Sequence, residues 1–296
     1  MSDTPLHWGA EALWQQLRSL LPGLSVEVVE RCTSTNSALL ERARVEVRPE
    51  PDNADVLVRR SVESAAFGRR AADVQPCLLV AEHQTGGRGR MGRAWQSARG
   101  ASLTFSLSLP LAREDWSGLS LVVGLALAEA LDPRRGGQPV RVGLKWPNDL
   151  WLMDAPAQGR KLGGVLIETV IAGRARLAVV GVGLNVLPMQ ASDASTGFAS
   201  LHELDARWTA PAVLHHVTLP LVQALRRFEA EGFGAFRDDY ARRDLLAGQT
   251  VRTTQQGAPE GIGRGVDERG ALQLDTPDGR RVAIHSGEVS VRLGAG

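Results

Sequence analysis

The stretch CLLVAEHQTGGRGRMGRAW, residues 77–95, joins an apolar run to a loop that is rich in glycine and arginine. Glycine lets backbone N–H groups approach a ligand closely, and arginine supplies forked donors that match carboxylate or phosphate. The alternating segment ASLTFSLSL at 101–109 follows the loop and is typical of a β-strand. The pattern therefore predicts an anion-binding loop between two strands.

This loop contains a literal GxGxxG at Gly87, Gly89 and Gly92. A dinucleotide-binding fold requires a helix directly after that fingerprint, and here a strand pattern follows instead. The chain also lacks the Gly-Lys-Ser/Thr of a P-loop and the HExxH, HRD and GxSxG motifs. RNA-binding Gly/Arg segments are usually repeated, whereas this one is single and flanked by apolar strands. We therefore exclude the common nucleotide folds and disfavour RNA binding.

Composition indicates an ordinary globular protein. The 296 residues are 43% hydrophobic and 23% charged, which suggests one large domain and a smaller one. The formal net charge of +1 provides no basic field for nucleic acid. The two cysteines, Cys32 and Cys77, lie outside any CxxC. Because the sequence has no signal-like N-terminus and no apolar run of membrane-spanning length, we expect a cytoplasmic protein with no membrane partner.

Hydrophobic periodicity predicts a mixed α/β domain over 1–245 and a small β-barrel over 246–296, where short alternating strands are separated by Gly, Asp and Pro turns. Residues 44–76 are charged and weakly periodic, and we interpret them as an insertion or long surface loop, with or without a short helix. A Trp-Pro-Asn-Asp turn is predicted to interrupt the strand pattern of 140–152. Helices are predicted over 8–21, 33–43, 116–131, 211–230 and 233–245.

The lysine content is unusual. Of the 34 lysines and arginines, only Lys145 and Lys161 are lysines. A codon-biased genome could leave two lysines by chance. A site that needs a compact ammonium, however, resists exchange to the wider, planar guanidinium. We therefore favour a functional role for both lysines.

These features together fit one kind of chemistry. Activation of a carboxylic acid with ATP brings a carboxylate and an α-phosphate together, and these anions repel each other. A positively charged, preorganised site must hold both. The two lysines, the loop arginines Arg88, Arg90 and Arg93, and a magnesium site at Asp149 would provide this charge.

Five motifs in this order resemble those of biotin–protein ligases: TSTN (33–36), EHQTGGRGRMGRAW (82–95), LKWPNDLW (144–151), RKLGGVLIE (160–168) and GVGLNV (181–186). The resemblance covers about residues 25–293. It implies an α+β fold with a class II synthetase-like mixed sheet and flanking helices, followed by an SH3-like barrel. It also implies a reaction in which biotin and MgATP give biotinyl-5′-AMP, and a lysine of biotin carboxyl carrier protein then attacks the adenylate.

The resemblance also implies roles for individual residues. The expected catalytic residues are Lys161, Lys145 and Arg90. The expected biotin-binding residues are Ser34, Thr35, Asn36, Gln84, Arg88, Gly89, Arg90 and Lys161. The expected ATP- and adenylate-binding residues are Arg93, Trp95, Lys145, Asn148, Asp149, Asn185 and Phe198, with Asp149 as the candidate magnesium ligand.

Several of these residues have a structural alternative. Ser34 could cap a helix, Trp95 could belong to the core, Asp149 could hold a turn, and Asn185 could end a strand. The alternative functions are a lipoate or octanoate ligase and a non-catalytic biotin-binding regulator. Since only about 24 residues precede the first strand, we expect no DNA-binding domain of the repressor type. We expect a monomer or weak homodimer.

Overall fold

The structure is a computed structural model that describes residues 6–44, 63–67, 74–134, 137–156, 158–189, 197–254, 256–257, 260–285 and 291–293. Its α-helices are α1 Ala10–Leu17, α2 Thr35–Arg44, α3 Leu119–Leu131, α4 Ala210–Glu231 and α5 Arg237–Ala241. Its strands are β1 Ser25–Cys32, β2 Glu63–Phe67, β3 Cys77–Gln84, β4 Gly87–Arg88, β5 Ala94–Trp95, β6 Ser102–Pro110, β7 Val142–Lys145, β8 Asp149–Ala155, β9 Gln158–Ala172, β10 Ala175–Asn185, β11 Thr250–Thr253, β12 Glu260–Val266, β13 Leu272–Asp275, β14 Arg281–Ile284 and β15 Val291–Leu293.

The chain packs as two compact units. The first unit comprises Met1–Ala112, Leu166–Ala191 and Ser200–Val222, and the second comprises Arg113–Val165, Ser192–Ala199 and Gln223–Gly296. Strand β9 therefore contributes its C-terminal half to the first unit and its N-terminal half to the second.

In the first unit the strand order is β2-β1-β3-β6-β10, followed by the C-terminal half of β9. Strands β1 and β3 are parallel, whereas β1–β2, β3–β6 and β6–β10 are antiparallel, so the sheet is mixed. Helix α2 packs on β3, β6 and β10. Its Leu39 and Leu40 join a core cluster with Leu79 of β3 and Val179 of β10. This burial holds the N-terminus of α2 against the polar side chains of β6.

In the second unit, β7, β8 and the N-terminal half of β9 are consecutive antiparallel neighbours. Helix α3 packs on β7, β8 and α5. Ten of the thirteen residues of α3 are buried, as its almost entirely apolar sequence predicts. The Trp146–Pro147 peptide bond is cis, which turns the chain tightly between β7 and β8. The predicted turn at this point is confirmed.

The C-terminal strands of the second unit form a separate antiparallel sheet in the order β14-β13-β12-β11-β15. In the described residues this sheet does not close into a barrel, but it is compatible with an SH3-like domain. The predicted class, a mixed sheet with flanking helices and a small C-terminal β-domain, is confirmed. The boundary that we predict at 245/246 remains a prediction.

Two sequence-based interpretations have a structural outcome here. The glycine-rich loop forms no α-helix; β4 and β5 pair as a short ribbon, and Arg90–Gly92 make one turn of 3₁₀ helix. Most of 44–76 lies outside the described residues, but Glu63–Phe67 pairs with β1 as a strand. The interpretation as a loop is therefore wrong for those five residues.

None of the helices in the described parts of the chain is long and apolar enough to span a membrane.

Candidate active site

A buried cluster of uncharged polar side chains lies in the first unit, where the N-terminus of α2 meets β3 and β6. The Gln84 Oε1 atom accepts hydrogen bonds from the Thr35 backbone N at 2.7 Å and from Thr35 Oγ1 at 3.1 Å. Ser106 Oγ lies 2.6 Å from both Thr35 Oγ1 and Asn36 Oδ1. All four residues are at most 9% exposed. We call Thr35, Asn36, Gln84 and Ser106 the amide–hydroxyl cluster.

The amide–hydroxyl cluster has fewer hydrogens than contacts. Its three oxygen–oxygen contacts are Thr35–Gln84, Ser106–Thr35 and Ser106–Asn36. Only the two hydroxyl groups can supply hydrogens to them, because Asn36 Nδ2 points the other way, at Leu166 O and Glu168. Asn36 Oδ1 and Ser106 Oγ each keep a lone pair that can accept a hydrogen bond from a ligand N–H. The cluster is therefore suited to a ligand that donates hydrogen bonds.

Ser34 lies beside this cluster but plays a local structural role. Helix α2 begins at Thr35, and Ser37 N donates to Ser34 Oγ at 3.4 Å. Ser34 is therefore positioned as the N-cap of α2, which was the structural alternative raised by the sequence. The residue is 4% exposed, and its predicted contact with biotin remains a prediction.

Two glycines of β10 make room for predicted site residues. A Cβ added at Gly181 would collide with Asn36 Oδ1, and one added at Gly183 would lie 2.5 Å from the Trp95 ring. Any side chain at these positions would displace the amide–hydroxyl cluster or the indole. This explains the Gly-x-Gly of GVGLNV, which the sequence analysis left unassigned. Asn185 lies at the end of the same strand, opposite Ser102, and is buried.

Residues 87–95, which we call the arginine loop, form a tight ribbon. Gly89 N donates to Arg93 O at 2.7 Å, and Arg93 N donates to Arg90 O at 3.2 Å. Met91, at its tip, has a left-handed φ of 56° and is 54% exposed. Arg88, on β4, is held by Glu168 of β9, whose two carboxylate oxygens each lie 3.1 Å from Arg88 Nη2. No sequence pattern predicts a role for Glu168 or Ser106.

The second unit holds the two lysines. Lys161 Nζ donates to Asp149 Oδ1 at 2.8 Å, and the two side chains are 32% and 22% exposed. Asn148 fixes the same turn, since its Nδ2 donates to Val165 O at 2.7 Å and its carbonyl accepts from Val165 N at 2.9 Å. Phe198 pairs with Lys161 through the backbone. The second unit therefore brings Lys161, Asn148, Asp149 and Phe198 together.

Lys145, at the end of β7, is buried to 8% exposure. Its Nζ lies 4.6 Å from the centroid of the Trp151 ring, a cation–π contact. Trp151 lies on β8 and is itself 6% exposed. The ammonium is therefore buried against a flat aromatic face. We call Lys145, Asp149, Trp151 and Lys161 the lysine region.

Backbone and indole contacts hold the strand that carries Lys145. Leu144 N donates to Arg243 O at 2.7 Å, and Leu245 N donates to Leu144 O at 3.0 Å. The Trp146 indole, 1% exposed, donates to Gly270 O, in the turn between β12 and β13 of the C-terminal sheet, at 3.0 Å. Burial raises the pKa of Asp244, beside these contacts, to about 6. The residues on both sides of Lys145 are thus anchored within the second unit.

No group of three or more His, Cys, Asp or Glu side chains suited to a metal occurs among the residues that the structure describes. Magnesium, however, is commonly held by one or two carboxylates together with substrate phosphates. Asp149 offers one carboxylate, with one oxygen already paired to Lys161. A single protein carboxylate does not enclose a metal by itself. It fits a metal that binds together with a nucleotide, whose phosphates supply the other ligands.

Comparison with known proteins defines the family. Residues 71–185 match the biotin/lipoate A/B protein ligase family, and residues 247–292 match the biotin protein ligase C-terminal domain. The biotin–[acetyl-CoA-carboxylase] ligase of Mycobacterium tuberculosis is 34% identical over 246 residues, which are 80% of this chain and 84% of that protein. The bifunctional ligase/repressor BirA of Escherichia coli is 36% identical over 220 residues, which are 72% of this chain and 65% of that protein.

A solved structure agrees with the sequence comparisons. The biotin protein ligase from Aquifex aeolicus in complex with biotin and ATP superposes with a TM-score of 0.67 at 28% identity, covering 91% of this chain and 99% of that one. The chain belongs to the biotin/lipoate A/B protein ligase family, and within it to the biotin protein ligases. The resemblance recognised in the sequence motifs is thereby confirmed, together with the enzyme class that it implied.

Proposed function

We propose that the chain activates biotin with ATP to biotinyl-5′-AMP and pyrophosphate, and then transfers biotin to a lysine of biotin carboxyl carrier protein. The observation that carries this proposal is the buried amide–hydroxyl cluster. The ureido ring of biotin offers N–H donors and one carbonyl acceptor. The cluster oxygens Asn36 Oδ1 and Ser106 Oγ can accept from a ligand N–H, and Gln84 Nε2, which can donate, makes no hydrogen bond to the described residues. The ring's donors and acceptor match these acceptors and this donor.

The basic side chains supply the charge for the first step. The biotin carboxylate attacks the α-phosphorus, a carboxyl–phosphoryl bond forms, and pyrophosphate leaves with its electron pair. Arg88 and Arg90 bind biotin and its adenylate, while Lys161 neutralises the carboxyl and phosphoryl oxygens. Lys145 holds the phosphates. Donors that are fixed before the reaction stabilise the developing charge without having to reorganise. Lys145 is such a donor, because it is held against the Trp151 ring.

The remaining assignments concern the nucleotide. Arg93 and Trp95 order the loop around the adenylate, Asn148 organises the turn that faces the phosphates, and Asn185 and Phe198 contact the adenine. Phe198 provides an aromatic face for stacking. Magnesium, when bound with ATP, neutralises phosphate charge, and Asp149 would hold it. In the structure one oxygen of the same carboxylate accepts from Lys161, so Asp149 would be shared between the lysine and the metal.

In the second step the amine of a carrier lysine attacks the carbonyl of the adenylate, an amide forms, and AMP leaves.

The proposed partners are biotin carboxyl carrier protein and related biotin-dependent carboxylases. DNA is not a proposed partner, which the net charge of +1 supports. The cytoplasm is the proposed compartment, and the lack of a disulfide at Cys32 and Cys77 is consistent with reducing conditions. The proposed oligomeric state is a monomer or weak homodimer.

The proposed function is tested by ATP–pyrophosphate exchange with the purified protein and MgATP. We expect exchange that depends on biotin and is absent with lipoate or octanoate. Exchange with lipoate or octanoate but not with biotin would refute the substrate. Binding of biotin with no exchange at all would indicate the non-catalytic regulator instead.

A further inference from the structure

Glu168 joins the arginine loop to the amide–hydroxyl cluster, entirely within the first unit. It lies on β9, and its side chain is 25% exposed. Its Oε2 accepts a hydrogen bond from Asn36 Nδ2 at 2.9 Å. Both of its carboxylate oxygens lie 3.1 Å from Arg88 Nη2. One carboxylate therefore contacts a buried amide of the cluster and a guanidinium of the loop.

The contact with Asn36 fixes the orientation of that amide. Asn36 Nδ2 donates to Glu168 and also to Leu166 O at 3.2 Å, which uses both amide hydrogens. Its Oδ1 is therefore directed at Ser106, inside the cluster. If the amide rotated by half a turn, its oxygen would face the Glu168 carboxylate and repel it. Glu168 thus determines which atom Asn36 presents to the cluster.

The contact with Arg88 fixes the position of the guanidinium but leaves most of its donors unused. Glu168 engages only Nη2, and among the described residues Arg88 makes no other side-chain hydrogen bond. Its Nε and Nη1 groups are available to an anion. The Arg88 side chain is 45% exposed, and ion pairs this exposed add little stability. The pair is therefore better explained by orientation of Arg88 than by stabilisation of the fold.

We propose that Glu168 is a positioning residue that holds Arg88 and Asn36 in the orientations in which they contact biotin and its adenylate. The proposal rests on the proposed function, because biotinyl-5′-AMP is the ligand concerned. With Glu168 in place, the loop retains the adenylate until the carrier lysine arrives. Without its charge, Arg88 moves freely and the adenylate is released sooner.

The test is the release rate of synthetic biotinyl-5′-AMP from the full-length protein, which requires no turnover. Glu168→Gln keeps the size of the side chain and an acceptor for Asn36 but removes the charge that holds Arg88. We expect roughly fivefold faster release, the scale of a partly exposed ion pair. Glu229→Gln is the matched control, since Glu229 pairs with Arg226 at 2.8 Å with side chains 22% and 31% exposed. It should leave release unchanged.

A double-mutant cycle separates positioning from a general loss of structure. Arg88→Gln should speed release by at least as much as Glu168→Gln, and the double variant should be no faster than Arg88→Gln alone. Additive effects, unchanged release in Glu168→Gln, or slower release would overturn the proposal, and slower release would mean that Glu168 competes with the ligand for Arg88. If the unmodified protein does not retain biotinyl-5′-AMP at all, the proposed function fails and this inference fails with it.

Discussion

The amide–hydroxyl cluster and the lysine region differ in charge and in exposure to solvent. The first is uncharged and buried, and its side chains bond to one another, as Ser106 does to Thr35 and Asn36. The second is charged, and Lys161 and Asp149 remain partly exposed as an ion pair. A buried neutral network is costly to leave incomplete, so it selects a ligand by its hydrogen-bonding pattern. An exposed ion pair is weak and easily exchanged for a phosphate or a metal.

This difference predicts a division of labour. Changes in the cluster should alter biotin affinity more than the rate of adenylation at saturating biotin. Changes in the lysine region should alter the rate more than the affinity, because interactions made only in the transition state appear in turnover.

The largest effect is expected from Lys161→Arg and Lys145→Arg. The guanidinium keeps the charge, but it is wide and planar and does not concentrate that charge at one point, as the ammonium of Lys161 does beside Asp149 and that of Lys145 does over the Trp151 ring. We expect single-turnover adenylation to fall by roughly 10²–10³ for Lys161→Arg, by analogy with the loss of one oxyanion donor. The loss for Lys145→Arg should be similar or somewhat smaller, with little change in folding.

Arg207→Lys serves as the control for these exchanges, because the Arg207 side chain is 90% exposed and, among the residues that the structure describes, pairs with nearby Asp205 alone. It should leave adenylation unchanged. If both lysine variants stay within about threefold of the parent, the argument from lysine scarcity is wrong, and chance alone left two lysines in an arginine-rich chain.

The second effect concerns the cluster. Thr35→Val keeps the shape of the side chain but removes the hydroxyl that bridges Gln84 and Ser106. Removing this hydroxyl from the buried network should weaken biotin binding by roughly 10- to 100-fold, measured by isothermal titration. Thr104→Val removes a comparable buried hydroxyl bond, to Ala81 O at 2.9 Å, and should leave biotin affinity nearly unchanged. Equal losses in the two variants would show that the effect is general destabilisation.

The smallest effect concerns the support of the lysine region by the C-terminal sheet. Trp146→Phe removes the indole donor to Gly270 O but keeps an aromatic ring. We expect the KM for ATP to rise about fivefold while biotin affinity is unchanged. Trp14→Phe is the matched control, because it loses an indole bond to Leu24 O, also at 3.0 Å. A change in biotin affinity as large as that in the KM for ATP would contradict this role.

Much of this arrangement could be predicted because its signals are local. The glycine-rich loop between two strands and the Trp-Pro-Asn-Asp turn are encoded by adjacent residues, and both are present in the structure. Strand β2 was missed because its sequence, ESAAF, has neither alternation nor β-branched residues. Its pairing with β1 is a long-range effect that no local pattern reports.

The site residues that could not be predicted from the sequence depend on long-range contacts in the same way. Ser106 lies on the polar side of the alternating strand β6, a side that alternation predicts to be solvent-exposed. Helix α2 covers β6, so Ser102, Thr104, Ser106 and Ser108 are all buried. Glu168 and the glycines of β10 likewise acquire their roles from residues more than 75 positions away. Contacts of this kind become visible only when the strand order is known.

The division of labour is tested most directly by measuring the biotin Kd and the single-turnover adenylation rate on the same two variants, Lys161→Arg and Thr35→Val. For Lys161→Arg we predict a biotin Kd within about threefold of the parent and a rate lower by roughly 10²–10³. For Thr35→Val we predict the reverse pattern, with a weakened Kd and a rate at saturating biotin that is little changed. A parallel loss of affinity and rate in both variants would contradict the account.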